Sequence, residues 1–366
     1  MIIQIEPWID KDELDQLKRI FKTKYITENV LTGEFEDLIK KLTGAKYAIA
    51  YNNGTLATYA IVKALGIGPG DEVIIPNMTF ISTANSIILS GAKPVLCDIK
   101  KDTFCIDFEK ADKLVNSRTK AIMPVHLYGQ SADMLECKRF SKKHNITIIE
   151  DAAQGIGVKF NKQHVGTFGK AGVLSFYGNK IITCGEGGII LTNNKKLAKD
   201  CYALKNHGRE KKGIFIHDKI GFNFAFTEMQ AAIGISQINK LKRIKKRKND
   251  LNKIYKKELL VLPAVRDCYI DPRTDPLYWF TSFLFPSAKK LQDHLINEKI
   301  QTRRFFYPLH LQPCYRDQQN IIGNLKGNFN VTCSVYNSGL SLPSSYGLKD
   351  SEIKKVCKSI KNFLEG

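Results

Sequence analysis

The chain has 366 residues, 43% hydrophobic and 25% charged, with 56 lysines and arginines against 36 acids for a formal charge of +20. That length calls for a large domain with a smaller companion, and the composition is that of an ordinary soluble globular protein. No apolar run approaches the roughly 18 residues of a membrane span, and Met1 to Glu6 is not a basic stretch leading into an apolar one, so the expectation is a cytoplasmic protein.

Nine cysteines are scattered singly, with no CxxC pair and an odd total, which argues against a disulfide framework or a zinc site. The positive charge suits any anionic partner, whether nucleic acid, membrane surface or phosphorylated metabolite. The densest basic run, Lys240 to Lys248, lies where Leu241, Ile244, Leu251, Ile254, Tyr255 and Leu259 recur at helical spacing. With no interleaved aromatics and no reader motif, it reads as a solvated helix face and not as a nucleic-acid contact.

In chain order, Asp10 followed by Glu13 announces a capped helix, and a second helix runs from about Gly33 to Leu42 before Gly44. Short apolar runs then predict strands at Tyr47 to Tyr51, Glu72 to Pro76, Pro94 to Ile99, Ala121 to Leu127, Ile146 to Asp151, Val173 to Tyr177 and Gly188 to Thr192. Helices between most of them make this an α/β pattern with a mostly parallel sheet. From Thr227 one long helix reaches about Leu259, and Pro263, Pro272 and Pro276 break the pattern beyond it. A strand (Trp279 to Phe285), a helix (Lys289 to Glu298) and a closing helix from about Asp350 complete a smaller α+β domain hinged on the long helix. The division is thus 1–240 and 241–366.

Ligand sites in open α/β sheets collect at the carboxyl ends of strands. Asn52-Asn53-Gly54-Thr55 follows a strand and opens a helix, where free amides, a glycine and a hydroxyl make either a phosphate cradle or a simple capped turn. Asp151 ends an apolar strand and is either an N-cap or a carboxylate that keeps a heterocyclic nitrogen protonated. Ser175 to Lys180, followed by Gly185-Glu186-Gly187-Gly188, sets one lysine on a glycine-rich loop after a strand, where a desolvated amine can attack an aldehyde. Phe80, just beyond the strand ending at Pro76, can cover the face of a planar ring or pack in the core.

Together these residues resemble the sugar-nucleotide aminotransferases of the DegT and StrS type, and the run Ser-Phe-Tyr-Gly-Asn-Lys (175–180) with Gly-Glu-Gly-Gly (185–188) is close to that family's cofactor-lysine signature. The likeness extends from Tyr25–Asn29 through Pro124–Gly129 to Gly339–Ser344. It implies the PLP fold-type I architecture (aspartate aminotransferase-like), with pyridoxal 5'-phosphate as cofactor and Lys180 as the lysine that binds it as a Schiff base. It further implies that Asp151 pairs with the ring nitrogen, Gln154 approaches the phenolic oxygen and Phe80 stacks on the ring. Gly54, Thr55 and Ser175 would hold the phosphate, and Asn223 would reach it from a second subunit, which makes a homodimer with shared active sites part of the expectation. Thr27, Arg303, Tyr307 and His310 would face the sugar nucleotide.

The wording is nearest to perosamine-synthase-like members, which implies that L-glutamate aminates a nucleotide-linked 4-keto-6-deoxy sugar, with no role for nucleic acid or membrane. A 3-keto sugar substrate and a non-catalytic, nucleic-acid-binding relative are the alternatives; the related sugar dehydratases carry histidine where Lys180 stands. Two departures stand out: Ala225 where the family usually has arginine, and Lys170 where aspartate commonly follows the Gly166-Thr167-Phe168-Gly169 pattern.

Overall fold

The computed structural model describes residues 1–366 except 210–212 and 214. Its centre is a seven-stranded sheet in the order Tyr47–Tyr51, Gly188–Thr192, Ala171–Ser175, Thr147–Asp151, Thr119–Ile122, Glu72–Pro76, Lys93–Cys97. Gly188–Thr192 runs antiparallel to both its neighbours, and the remaining neighbours pair in parallel. Side chains alternate across the sheet: Val73 and Ile75 pack with Ile61 of the helix Gly54–Ala64, whereas Ile74 packs on the opposite face with Phe140. Both faces are covered, which is why these strands read as continuous apolar runs.

Three strands have the ends the sequence indicates, while others slide by a few residues. The ladder expected over Ala121 to Leu127 closes at Ile122, and beyond it an isolated bridge joins Val125 to Asp151. Pro124, which has no N–H to give, only accepts there, from the Asp151 amide at 3.0 Å.

The first helix, Lys11–Thr23, has the Asp10/Glu13 capping box in full, and the long helix Glu228–Leu259 is capped reciprocally by Thr227 and Gln230. Its basic run corrects the expectation of a solvated face. Lys242, Arg243 and Lys246 are exposed, but Lys240 and Lys248 are buried. Lys245 pairs with Asp275 and Arg247 with Asp350. The reason is tertiary: the helix is wedged between the N-terminal helix and the C-terminal sheet, so two of its faces are covered.

That second sheet is antiparallel, ordered Arg266–Asp267, Thr281–Leu284, Gly339–Leu342, Arg303–Arg304, with helices Ala288–Asn297 and Asp350–Glu365 packed against it. Residue 240 falls inside the long helix, whose Leu251, Tyr255 and Leu259 belong to the C-terminal core. Ile2 joins that same core and bridges to Ile300, so the N-terminal arm lies with the smaller sheet. Among the described residues no helix is long and apolar enough to cross a membrane.

Candidate active site

The carboxyl ends of three strands and the start of one helix converge on a cavity of about 670 Å³, within the usual range for small-molecule sites. At the helix start, the Asn53 side chain accepts from the Leu56 amide at 2.9 Å and its carbonyl from Ala57 at 3.2 Å. The first amides of a helix have no partner within it, so those of Gly54 and Thr55 remain at the cavity, where the positive end of the helix favours an anion. Ser175 lines the same corner: a Cβ on Gly54 would stand 3.3 Å from that of Ser175. Gly188 makes the arrangement possible, since a Cβ there would lie 2.5 Å from the Asn53 carbonyl.

Two successive carboxylates point to opposite sides of the Thr147–Asp151 strand. Glu150 is fully buried and accepts from the Gly166, Phe168 and Gly169 amides at 2.6–2.7 Å and from His126 at 3.0 Å. It thereby holds the Gly166–Gly169 turn, and Lys170, the departure after it, is exposed. Asp151 faces the cavity instead, with Oδ2 accepting from the Thr83 hydroxyl at 2.6 Å and Oδ1 from the Ala153 amide at 3.1 Å. Thr79, also on the cavity wall, lies 2.8 Å from the Thr83 hydroxyl. Gln154 is oriented by its Oε1, which accepts from the Tyr128 amide at 3.0 Å.

Lys180 reaches the cavity from the loop between Ala171–Ser175 and Gly188–Thr192. Burial pushes its amine down to about 8; Arg303 pushes the same way and Asp151 opposes both. Such an amine carries a useful neutral, nucleophilic fraction near neutral pH. Its Nζ sits 4.0 Å from the Trp279 ring centroid. Phe80 offers a largely exposed ring at the mouth, 6.0 Å from that of Phe306.

Eight of the residues singled out in the sequence therefore share one cavity: Gly54, Thr55, Phe80, Asp151, Gln154, Ser175, Lys180 and Arg303. Four lie off it. Thr27 is exposed, on a segment anchored by Glu228, which accepts from the Asn29, Leu31 and Thr32 amides at 2.8 Å, and by a 3.0 Å ion pair between Glu28 and Lys205. Asn223 is exposed and bonds the Ala225 amide beside it. Tyr307 packs edge-on to Tyr336, and His310 is bound to Asn77 through both its ring Nδ1 (2.8 Å) and its amide (3.0 Å). Missed from the sequence were Trp279, Thr83 and the side chain of Asn179, whose Oδ1 is buried at the cavity wall without a partner among the described residues. A threonine one helical turn after Thr79 was the only available signal for Thr83.

This set of groups fits a phosphorylated heteroaromatic aldehyde: an anion cradle at one end, a carboxylate for a protonated ring nitrogen, a lysine for the aldehyde and an orphaned acceptor. A match to the DegT/DnrJ/EryC1/StrS aminotransferase family spans residues 7–361. The chain belongs to that family. It is 34% identical to the GDP-perosamine synthase of Vibrio cholerae, with 99% of each chain covered. It is also 37% identical to a pleiotropic regulatory protein of Geobacillus stearothermophilus, over 98% of each. Among solved structures, DesV of S. venezuelae matches with a TM-score of 0.92 at 28% identity, covering 97% of this chain and 95% of that one. The protein is an aminotransferase of PLP fold-type I, and family membership implies the pyridoxal phosphate cofactor.

Proposed function

We propose that this aminotransferase moves the amino group of L-glutamate to a GDP-linked 4-keto-6-deoxy sugar, giving a 4-amino-4,6-dideoxy sugar for surface glycan synthesis. The observation that carries the reading is the meeting of Lys180, Asp151 and the Gly54–Thr55 helix start at one cavity; the likeness to the Vibrio cholerae enzyme supports the substrate class.

Bound pyridoxal phosphate would supply an aldehyde for amines and a ring that spreads carbanion charge. The protein's part is to place and protonate. Gly54, Thr55 and Ser175 would hold the phosphate, and Phe80 would cover one ring face. Asp151, its own oxygens fixed by Thr83 and Ala153, would keep the ring nitrogen protonated. Lys180, partly neutral by virtue of its burial, would bind the aldehyde and, once released, serve as the base that moves the proton of the donor's α carbon. In the overall exchange glutamate would become 2-oxoglutarate and the keto sugar the amino sugar, with the keto oxygen ending on the oxo acid by way of water. Asn223, exposed in the single chain, completes the phosphate site of a partner in a homodimer, and Thr27, Arg303, Tyr307 and His310 flank the sugar nucleotide.

Lys180→Ala is expected to abolish both the visible absorbance of the loaded protein and amino transfer, read by mass spectrometry of products from GDP-, UDP- and dTDP-linked keto sugars with glutamate. Full transfer by the variant refutes the assignment, and a 3-amino product transfers the reading to a 3-keto substrate.

A further inference from the structure

We propose that the Trp279 indole is the surface on which the Lys180 amine rests whenever it is free of covalent linkage, and that Asn179 and Lys248 fix the indole there. The inference rests on Lys180 being the cofactor lysine. The amine lies 4.0 Å from the ring centroid, close enough for the negative face of the π system to hold a cation. The indole N–H donates to the Asn179 carbonyl at 2.7 Å, so the ring is tied to the peptide that carries Lys180. Its ring also stacks on Phe280, with centroids 3.9 Å apart.

The main chain of Trp279 is held as tightly. Its carbonyl accepts from Lys248 Nζ at 3.0 Å, and the same amine donates to the Ser344 carbonyl at 2.5 Å. Lys248 is buried, and among the described residues its amine meets these two carbonyls and no carboxylate. An amine in such surroundings is costly, and what it provides is the fixed spacing of two carbonyls from different parts of the chain. On the other side, Gly129 lets the Leu277–Tyr278 backbone come close: a Cβ there would stand 2.5 Å from the Leu277 carbonyl oxygen, and the Leu277 amide donates to Gly129 at 3.1 Å. Trp279 is therefore a positioning residue. It gives a released lysine one resting place and favours the protonated form that hands a proton back. Asp151 favours that form too, Arg303 opposes it, and Glu186 is a further acid on the cavity wall.

The test uses the full chain stripped of cofactor. Pulses of acetic anhydride across a pH series, followed by mass spectrometry of the peptide containing residue 180, report the fraction of neutral amine. Trp279→Leu is expected to lower the midpoint by about one pH unit, because apolar bulk is kept and the quadrupole is lost. Trp279→Phe is expected to keep most of the shift, and Lys248→Met to move the midpoint in the same direction as the leucine variant but less. Combined with Trp279→Leu, Lys248→Met should add nothing further. An unmoved midpoint in Trp279→Leu, or phenylalanine behaving as leucine, overturns the proposal; additive shifts remove Lys248 from it. The labelling needs neither cofactor nor turnover, so a failure of the aminotransferase reading registers separately, in the Lys180→Ala transfer assay.

Discussion

Lys240 and Lys248 stand on one helix, both about 3% exposed, and meet opposite surroundings. Burial works against the charge of Lys240, but Asp10 and Glu13, at 2.7 Å each, outweigh it and hold the ammonium above its ordinary range. Gln237 extends the cluster by donating to Glu13 and to the Trp8 carbonyl. Among the described residues Lys248 has only carbonyl partners, and burial pushes it down to about 7. The first region is a saturated ion cluster that fastens the N-terminal helix; the second lies behind the cavity wall, where Lys248 meets the carbonyls of Trp279 and Ser344. Burial alone does not set a lysine's behaviour: the acids brought to it do.

The sharpest way to break the contrast is to remove the acid from the saturated cluster. Glu13→Ala leaves Lys240 buried beside two more exposed carboxylates, Asp10 at 2.7 Å and Asp12 at 3.9 Å, and is expected to cost about 3–5 kcal/mol in denaturant unfolding. The double replacement Glu13→Leu with Lys240→Met should recover most of that loss; failure to recover would mean the cluster fixes geometry that packing cannot. Next comes Gly129→Ala, which must accommodate a φ of 93° and a collision with the Leu277 carbonyl. A loss of about 2 kcal/mol is expected, with amino transfer falling as Trp279 is displaced.

The third effect is one of slope. Lys248 has a folded pKa of about 7 against an ordinary 10.5, so between those values the unfolded chain binds more protons than the folded one. Its contribution to stability is complete above the upper value and is lost as pH falls toward the lower. Lys248→Met should flatten that rise, seen as closer agreement between urea midpoints at about pH 7 and pH 10. Lys180, pushed down to about 8, keeps a smaller slope of the same sign in the variant.

The sequence displayed this site unevenly. Gly54, Asp151, Ser175 and Lys180 were readable because each ends an apolar strand or stands within a few residues of its end, and strand ends are where an α/β sheet gathers its chemistry. The capping boxes at Asp10 and Thr227 were readable because three-residue spacing is local. Trp279 was not: its indole bonds a residue 100 positions away, and no local pattern announces that meeting. Nor was the division of the basic run, since helical spacing places Lys240 and Lys248 among the charged residues while tertiary packing buries them. Strand ends slid where a pattern of side chains outlasted the ladder, as beyond Ile122.

The loop carrying Lys180 joins two antiparallel neighbours whose ends pair Ser175 with Gly188. Phe176 gives its amide to the Gly187 carbonyl, and its own carbonyl receives the Cys184 amide and the Thr183 hydroxyl. A backbone riveted at both feet has little freedom to travel, so any journey the amine makes between partners belongs to rotation about the four methylenes of its own stem. The enzyme's moving part is, on this geometry, a single side chain on a stationary mount.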